Sequence, residues 1–423
     1  MTERRRTTRL RSLLATATGA CLLAGCGTLP GSGGSGNTLT VVTFAPEGTK
    51  ATNMGGMTSM ARAYERWVNS KGGINGHKLR VVTCNEHNTA SGAADCARKA
   101  VSEKAVAVVG SYSQHGRAFM APLEAAGIPF IGGYGVSPEE FQSTLSFPVN
   151  GGQPALLAGA GHQLARACDQ VALVRPDTLA GDSMPVLLNA GLKATRQVEA
   201  SDIRAAEDAG DYGPQAREAL VETGRTKDRG KGCVTAVLGA RTETFFDSFR
   251  RVDQTQKRPQ IASVLGSVSQ ALVDRTGGKE SPFEGALVTG WYPVATDPLW
   301  EQMRKVVAEY AFGEDGADPA DDGTQTTWIA YTVLSGIVKQ LGGEDVTARN
   351  VARALNRSEG VSTGGLTPDL RWRFQDLRAV GGYPRLVNAR VSFQAVQAGR
   401  LVAQPGDLPT MDMTQTLEAA PRA

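Results

Sequence analysis

Short β-rich runs alternate with amphipathic helical stretches along the first third of the chain. Apolar residues such as Met57, Met60 and Tyr64 recur at helical spacing between the runs. The four runs are Leu39–Phe44, Leu79–Thr83, Val106–Val109 and Ile128–Ile131. Strands separated by helices predict a parallel sheet that is covered by helices on both faces.

The same alternation begins again after Asn150 and predicts a second α/β unit. Its β-rich runs are Val171–Val174, Val234–Leu238, Ile261–Leu265 and Gly285–Gly290. Residues 299–355 are mostly helical in pattern, and short β runs follow at 371–374 and 389–393. The polar tail beyond Gln404 is expected to fray. We therefore predict two Rossmann-like lobes with parallel sheets.

The N-terminus has the pattern of an export signal. Five arginines precede a short apolar stretch that ends in Leu23-Ala24-Gly25-Cys26, which resembles the bacterial lipobox. This pattern predicts a lipoprotein signal peptide over 1–25 and a lipid on Cys26. An ordinary secretory signal is the alternative, and the apolar stretch is too short to cross a bilayer. Residues 26–37 are rich in Gly and Ser, which predicts a flexible tether.

Charge and hydropathy limit the class of partner. Removal of residues 1–25 takes away five Arg and one Glu, so 40 basic and 41 acidic side chains remain. The near-neutral balance argues against a nucleic-acid partner. No second apolar run long enough to span a membrane follows. We expect a monomer on the extracytoplasmic face of the cell membrane, anchored by its lipid.

Four cysteines remain beyond the signal and the lipid site. An even number of cysteines in an exported chain indicates disulfides. We predict the pairs Cys84–Cys96 and Cys168–Cys233, against the alternative of four free buried thiols.

No pattern for catalysis is present. The four histidines form no His-Glu-x-x-His motif, and the chain has no Gly-x-Ser-x-Gly elbow or phosphate-binding Walker loop. The acidic run from Glu314 to Asp322 lacks the spacing of a calcium loop and is interpreted as a solvated loop. We expect a protein that is not an enzyme and uses no cofactor or metal.

Three segments resemble one known family. They are Asn69–Leu79 (NSKGGINGHKL), Val106–Ser113 (VAVVGSYS) and Pro122–Ile131 (PLEAAGIPFI). They are similar to type I periplasmic solute-binding proteins of the branched-chain amino-acid receptor family. The resemblance is tight over 39–150 and looser to about 400. It implies two lobes joined by three crossover segments, with a small molecule bound between the lobes and delivered to the permease subunits of an ABC importer.

The resemblance also implies a division of the chain. Residues 38–150 and 291–355 would form the first lobe, and 151–290 and 356–404 the second, followed by a tail over 405–423. The crossovers would fall near 148–153, 266–292 and 356–362.

Loops at the carboxyl ends of parallel strands form the predicted ligand site. In the first lobe the loop after the third strand leads into a helix, whose N-terminus favours a carboxylate. Ser113 could donate to such a ligand or only cap the helix. Tyr134 is bulkier than the residue usual in amino-acid receptors and could stack on a ring. The candidates in this lobe are Ser111, Tyr112, Ser113, Gly132, Gly133 and Tyr134.

The second lobe supplies a further set of candidates. Asp177 would suit an ammonium group, whereas Arg241 would suit a second carboxylate or lie on the surface. Trp291 and Tyr292 could line the cleft or pack in a hinge. The candidates in this lobe are Asp177, Thr178, Gly239, Arg241, Trp291 and Tyr292.

Two functional hypotheses follow. The first is a solute receptor that captures an amino acid, an amide or a related carboxylate for an ABC importer. The second is a tethered sensor that presents its ligand-bound form to a signalling partner. The sequence does not distinguish them.

Overall fold

The two lobes are each built on one β-sheet. The computed structural model describes residues 38–50, 52–195, 199–224, 231–252, 259–264, 266–404, 406 and 410–421. The predicted signal peptide, Cys26 and the tether lie outside these residues. No helix in the described ranges is long and apolar enough to span a membrane.

The first sheet has five strands, all parallel. In spatial order they are β2 (Lys78–Asn85), β1 (Thr38–Ala45), β3 (Ala107–Val109), β4 (Phe130–Ile131) and β5 (Ser146–Phe147). The helices of this lobe are α1 (Gly55–Ser70), α2 (Ala90–Ser102), α3 (Gly116–Ala126), α9 (Glu301–Tyr310), α10 (Asp322–Leu341) and α11 (Ala348–Arg357).

Alternation along β1 explains why this sheet is covered on both faces. Successive side chains of a strand point to opposite faces. Val41 lies in the cluster with α1 and α10, whereas Val42 and Phe44 lie in a second cluster with α2 and α3. The one polar side chain in this stretch, Thr43, is satisfied because its hydroxyl donates to the Val109 carbonyl at 2.6 Å.

The second sheet has eight strands and is mixed. Five parallel strands form its centre, and three antiparallel strands extend it. The strands are β6 (Gln170–Pro176), β7 (Ser201–Ala205), β8 (Gly232–Ala236), β9 (Gln260–Val264), β10 (Leu287–Gly290), β11 (Arg390–Gln397), β12 (Arg400–Ala403) and β13 (Thr410–Asp412). The helices are α4 (Gly152–Ala167), α5 (Met184–Thr195), α6 (Gly213–Thr223), α7 (Thr242–Val252), α8 (Gln270–Arg275) and α12 (Thr414–Glu418).

Two expectations about the C-terminal part are wrong. The run 371–374 forms no strand: Leu370 pairs with Val361 in an isolated bridge, and a short 3₁₀ turn begins at Phe374. The described part of the tail does not fray, because β13 pairs with β11 and α12 packs on the second lobe. Met413 and Leu417, four residues apart, bury their side chains there.

Both predicted disulfides are present. Cys84–Cys96 ties the end of β2 to α2, and Cys168–Cys233 joins the chain after α4 to β8. Their Cα atoms lie 5.7 and 5.8 Å apart, within the range that an S–S bond requires. Each disulfide therefore holds one helix of its lobe against the sheet.

Three segments join the lobes, between β5 and α4, between β10 and α9, and between α11 and β11. The chain stays with the second sheet through α8 and β10, and the second crossing follows Gly290. Hydrogen bonds tie the three segments together. The Asn150 amide donates to the Tyr292 hydroxyl at 2.9 Å, and the Trp372 indole donates to the Pro148 carbonyl at 2.9 Å.

Candidate functional site

A cavity of about 190 Å³ lies where the two lobes meet. It is lined by the loops that follow β1, β3 and β4 of the first lobe and β6, β7, β8 and β9 of the second. These are the carboxyl ends of the parallel strands, where α/β sheets place their ligands. The starts of α4 and α10, together with Trp291, complete its wall.

Aromatic and apolar side chains form most of the wall. Tyr134 packs edge-to-face on Tyr112 at 5.2 Å and on Trp291 at 4.9 Å between ring centroids. The Trp291 indole donates to the Gly152 carbonyl at 2.9 Å, so the ring is fixed to the first crossing. Other apolar lining residues are Met54, Val136, Leu156, Leu157, Pro176, Ala180, Met184, Val237, Leu238, Ala240 and Val264. Such a wall suits an apolar ligand body.

A buried carboxylate holds the loop that carries Tyr134. Glu140 is 2 % exposed and accepts hydrogen bonds from the backbone of Gly135, Val136 and Ser137 at 2.9–3.0 Å. Burial raises the pKa of Glu140 to about 7, and these hydrogen bonds only partly offset that rise. The carboxyl group therefore fixes the loop, and with it the position of the Tyr134 ring.

Close helix packing explains the glycines at the ends of β3 and β4. Gly132 has φ +64°, and a Cβ there would lie 2.3 Å from the Ala330 Cβ of α10. Gly110 has φ +59°, and a Cβ there would lie 2.9 Å from the Thr327 Cγ2 of the same helix. Only glycine combines this backbone conformation with so close an approach.

The predicted residues of the first lobe divide into two groups. Tyr112 and Tyr134 line the cavity. Ser111, Ser113, Gly132 and Gly133 do not. The Ser111 hydroxyl accepts from the Phe44 amide at 3.0 Å, and the Ser113 hydroxyl donates to Glu86 at 3.0 Å and accepts from His115 N.

The predicted residues of the second lobe divide similarly. Thr178, Gly239 and Trp291 line the cavity. Asp177 points to solvent, 3.9 Å from the Arg204 guanidinium. Arg241 lies outside the lining, half-buried at the end of the short 3₁₀ turn that precedes α7.

Tyr292 also lies outside the lining and belongs to the hinge. Its hydroxyl accepts from Asn150 and lies 3.1 Å from the Thr326 hydroxyl of α10. Burial raises the pKa of Tyr292 to about 12, so it stays neutral. The residue therefore links the first crossing, the second crossing and the first lobe.

Sequence reasoning missed several polar residues of the cavity. Gln114 of the first lobe donates to Glu207 of the second at 2.8 Å, so the lobes are in contact across the cavity. The acidic run was interpreted as a solvated loop, but its last two residues line the cavity at the start of α10. Asp322 is 3 % exposed, and burial raises its pKa to about 7. A run of acidic residues normally indicates a solvated loop, so nothing in the sequence indicated that the last two lie in a cavity wall at the start of a helix.

The described residues include no cluster of three or more His, Cys, Asp or Glu side chains that could hold a metal ion. The described lining residues also include no Lys, Arg or His. The cavity therefore offers aromatic faces, hydroxyl and amide groups and carboxylates.

A family model described as periplasmic binding protein matches residues 42–383. The match covers most of the chain, so the chain belongs to this family, and the resemblance read from the sequence is confirmed. The family consists of solute-binding proteins rather than enzymes. A search of the curated proteins found no match.

Solved structures share the fold at low sequence identity. An extracellular ligand-binding receptor from Verminephrobacter eiseniae is 17% identical, with a TM-score of 0.69 over 86% of this chain and 99% of that one. The leucine-binding protein LivK from Thermotoga maritima is 14% identical, with a TM-score of 0.65 over 88% and 100%. An ABC transporter solute-binding protein from R. palustris in complex with 4-hydroxybenzoate is 14% identical, with a TM-score of 0.68 over 89% and 97%.

Proposed function

We propose that this chain is an extracytoplasmic receptor that captures a small molecule between its lobes and delivers it to the permease subunits of an ABC importer. The observation that carries the proposal is the cavity enclosed by carboxyl-end loops of both sheets. A ligand that contacts both walls stabilises the closed arrangement more than the open one, and this difference drives closure. The permease would recognise the closed form.

The ligand class in this proposal is an amino acid, an amide or a related carboxylate. The named relatives support it, since one is a leucine-binding protein and another holds 4-hydroxybenzoate. The ring wall formed by Tyr112, Tyr134 and Trp291 supports a ligand with an apolar or aromatic body.

The anchoring part of the proposal rests on the sequence. Cleavage before Cys26 would leave a lipidated thiol and the tether over 26–37, whose reach is roughly 15–20 Å. Cell fractionation tests this directly. The wild-type chain is expected in the membrane fraction and Cys26→Ser in the released fraction; equal release of both would contradict a lipid anchor.

Ligand capture is tested on protein purified without refolding. Native mass spectrometry should show a small molecule that is lost on unfolding. A thermal-shift screen of amino acids, amides and aromatic acids should then find a stabilising compound, because a hundredfold excess over Kd adds about 2.7 kcal/mol.

Two neighbouring residues give a matched pair of variants. Ala180 lines the cavity, whereas its neighbour Leu179 is 92 % exposed. Ala180→Trp should abolish the thermal shift by filling the cavity, and Leu179→Trp should keep it. A ligand that binds both variants equally would not lie in this cavity.

A further inference from the structure

Asp322 is the first residue of α10 and lines the cavity. It is 3 % exposed, and its Oδ2 atom has no hydrogen-bond partner among the described residues. A buried carboxylate oxygen without a donor is costly, because it has lost water and gained nothing in return. A ligand that enters the cavity can supply the missing donor.

The other acids of the cavity wall already have partners. Asp321 accepts from the amide and the hydroxyl of Thr324 at 2.7 and 3.0 Å, and Glu207 accepts from Gln114. With no basic side chain among the described lining residues, the wall carries only negative formal charge. Such a cavity attracts a cation and repels a carboxylate.

The Asp322 Oδ2 and the Tyr134 Oη lie near each other, against Gly266 of the second lobe. A Cβ on Gly266 would lie 2.3 Å from the Tyr134 Oη and 3.0 Å from the Asp322 Oδ2. Both oxygens therefore converge on the bare Cα of a glycine. A primary ammonium group carries three N–H donors and can bond to both oxygens at once.

We propose that Asp322 binds a protonated amine of the ligand, with Tyr134 as a second acceptor and the aromatic wall around an apolar body. This inference rests on the proposed receptor function and narrows its ligand to compounds that carry a cationic nitrogen. It places the recognition charge at the start of α10, in the first lobe. A carboxylate without an amine is then a poor ligand.

The competing arrangement is a protonated Asp322 that donates to a ligand oxygen. Burial raises the pKa of Asp322 to about 7, with backbone N–H groups of Asp322 and Gly323 partly offsetting it, so the neutral form is accessible. Asp322→Asn separates the two. The amide has the shape of the neutral acid and still donates, but it carries no charge for an ammonium group.

The experiment measures binding by calorimetry at pH 8 with compounds that share a carbon skeleton. The probes are 2-phenylethylamine, phenylacetate and 2-phenylethanol, and isoamylamine, isovalerate and isoamyl alcohol. Asp315→Asn, an exposed acid in the same run, is the control. Thermal unfolding of each ligand-free variant shows that it is folded.

The amines are expected to bind more tightly than the matched acids and alcohols. Asp322→Asn should reduce the preference for the amine over the matched alcohol about 10- to 100-fold, as for a lost hydrogen bond to a charged group, and Asp315→Asn should leave this preference unchanged. Tighter binding of the acids, or an amine preference that Asp322→Asn leaves unchanged, would overturn the inference and leave the receptor function standing. Failure of every probe, together with no co-purifying small molecule, would overturn both.

Discussion

Replacement of Asp322 by Asn is expected to let the ligand-free protein close. Gly266 of the second lobe packs against the Asp322 carboxylate of the first, and the Oδ2 of that carboxylate has no hydrogen-bond partner among the described residues. Opening the cleft would return the carboxylate to water. The negative charge of Asp322 therefore opposes closure until a ligand supplies a hydrogen-bond donor. In Asp322→Asn the side chain is uncharged, so this cost of closure is absent.

The magnitude follows from the pKa. Burial raises the pKa of Asp322 from 3.8 to about 7, and each pKa unit corresponds to about 1.4 kcal/mol. Above pH 7, closure without ligand thus costs this group at most about 4 kcal/mol, which corresponds to a bias toward the open form of up to roughly a thousandfold. The closed form holds the proton more tightly, so the penalty is absent below pH 3.8 and grows until about pH 7. At pH 5 it is about 2 kcal/mol.

The assay is fluorescence energy transfer between labels on the two lobes. The Arg117 side chain of α3 is 94 % exposed, and residue Leu179 of the second lobe is 92 % exposed. Cysteines at these two positions can therefore carry dyes without disturbing the core. The four native cysteines of the described residues are held in disulfides and do not compete.

At pH 8 the ligand-free Asp322→Asn protein should show higher transfer than the wild type. Lowering the pH to 5 should raise transfer in the wild type and change it much less in the variant. Asp315→Asn should behave as the wild type. Equal transfer in all three proteins at both pH values would refute the reasoning, since Asp322 would then carry no closure penalty.

Three further substitutions test the supports of the site by urea unfolding. Glu140→Ala removes the acceptor of three loop N–H groups, so the free energy of unfolding should fall by about 2–4 kcal/mol and ligand binding should weaken. Glu140→Gln should lower the free energy of unfolding by less. Trp291→Phe keeps the ring but leaves the Gly152 carbonyl without its donor, and about 1–2 kcal/mol should be lost. Gly132→Ala should cost at least about 2 kcal/mol, because its Cβ meets Ala330 at a positive φ. A change below about 0.5 kcal/mol in any of them would contradict the contact that it tests.

The periodic parts of the chain were predictable from the sequence. Apolar β runs such as Leu39–Phe44 and Val171–Val174 lie within β1 and β6, because a strand that is buried on both faces leaves a continuous apolar run. The short strands β5 and β7 were missed. β5 has two residues, and β7 (SDIRA) carries polar side chains on its exposed face. These two segments form strands because adjacent strands pair with them, and a local sequence pattern carries no information about that pairing.

The sequence predicted only those cavity residues whose place is set by a loop at the end of a strand. Tyr112, Tyr134, Thr178, Gly239 and Trp291 line the cavity because they follow strand ends. The burial of Asp322 was not visible, because it depends on where α10 begins relative to the second lobe. The same applies to Gln114 and Glu207, whose contact joins loops 93 residues apart.

Small-angle X-ray scattering tests the central claim most directly. The account predicts that the radius of gyration falls when a stabilising ligand is added, with the same concentration dependence as the thermal shift, and that Ala180→Trp shows neither change. A ligand that stabilises the protein while the radius of gyration stays constant would contradict closure of the two lobes around the cavity.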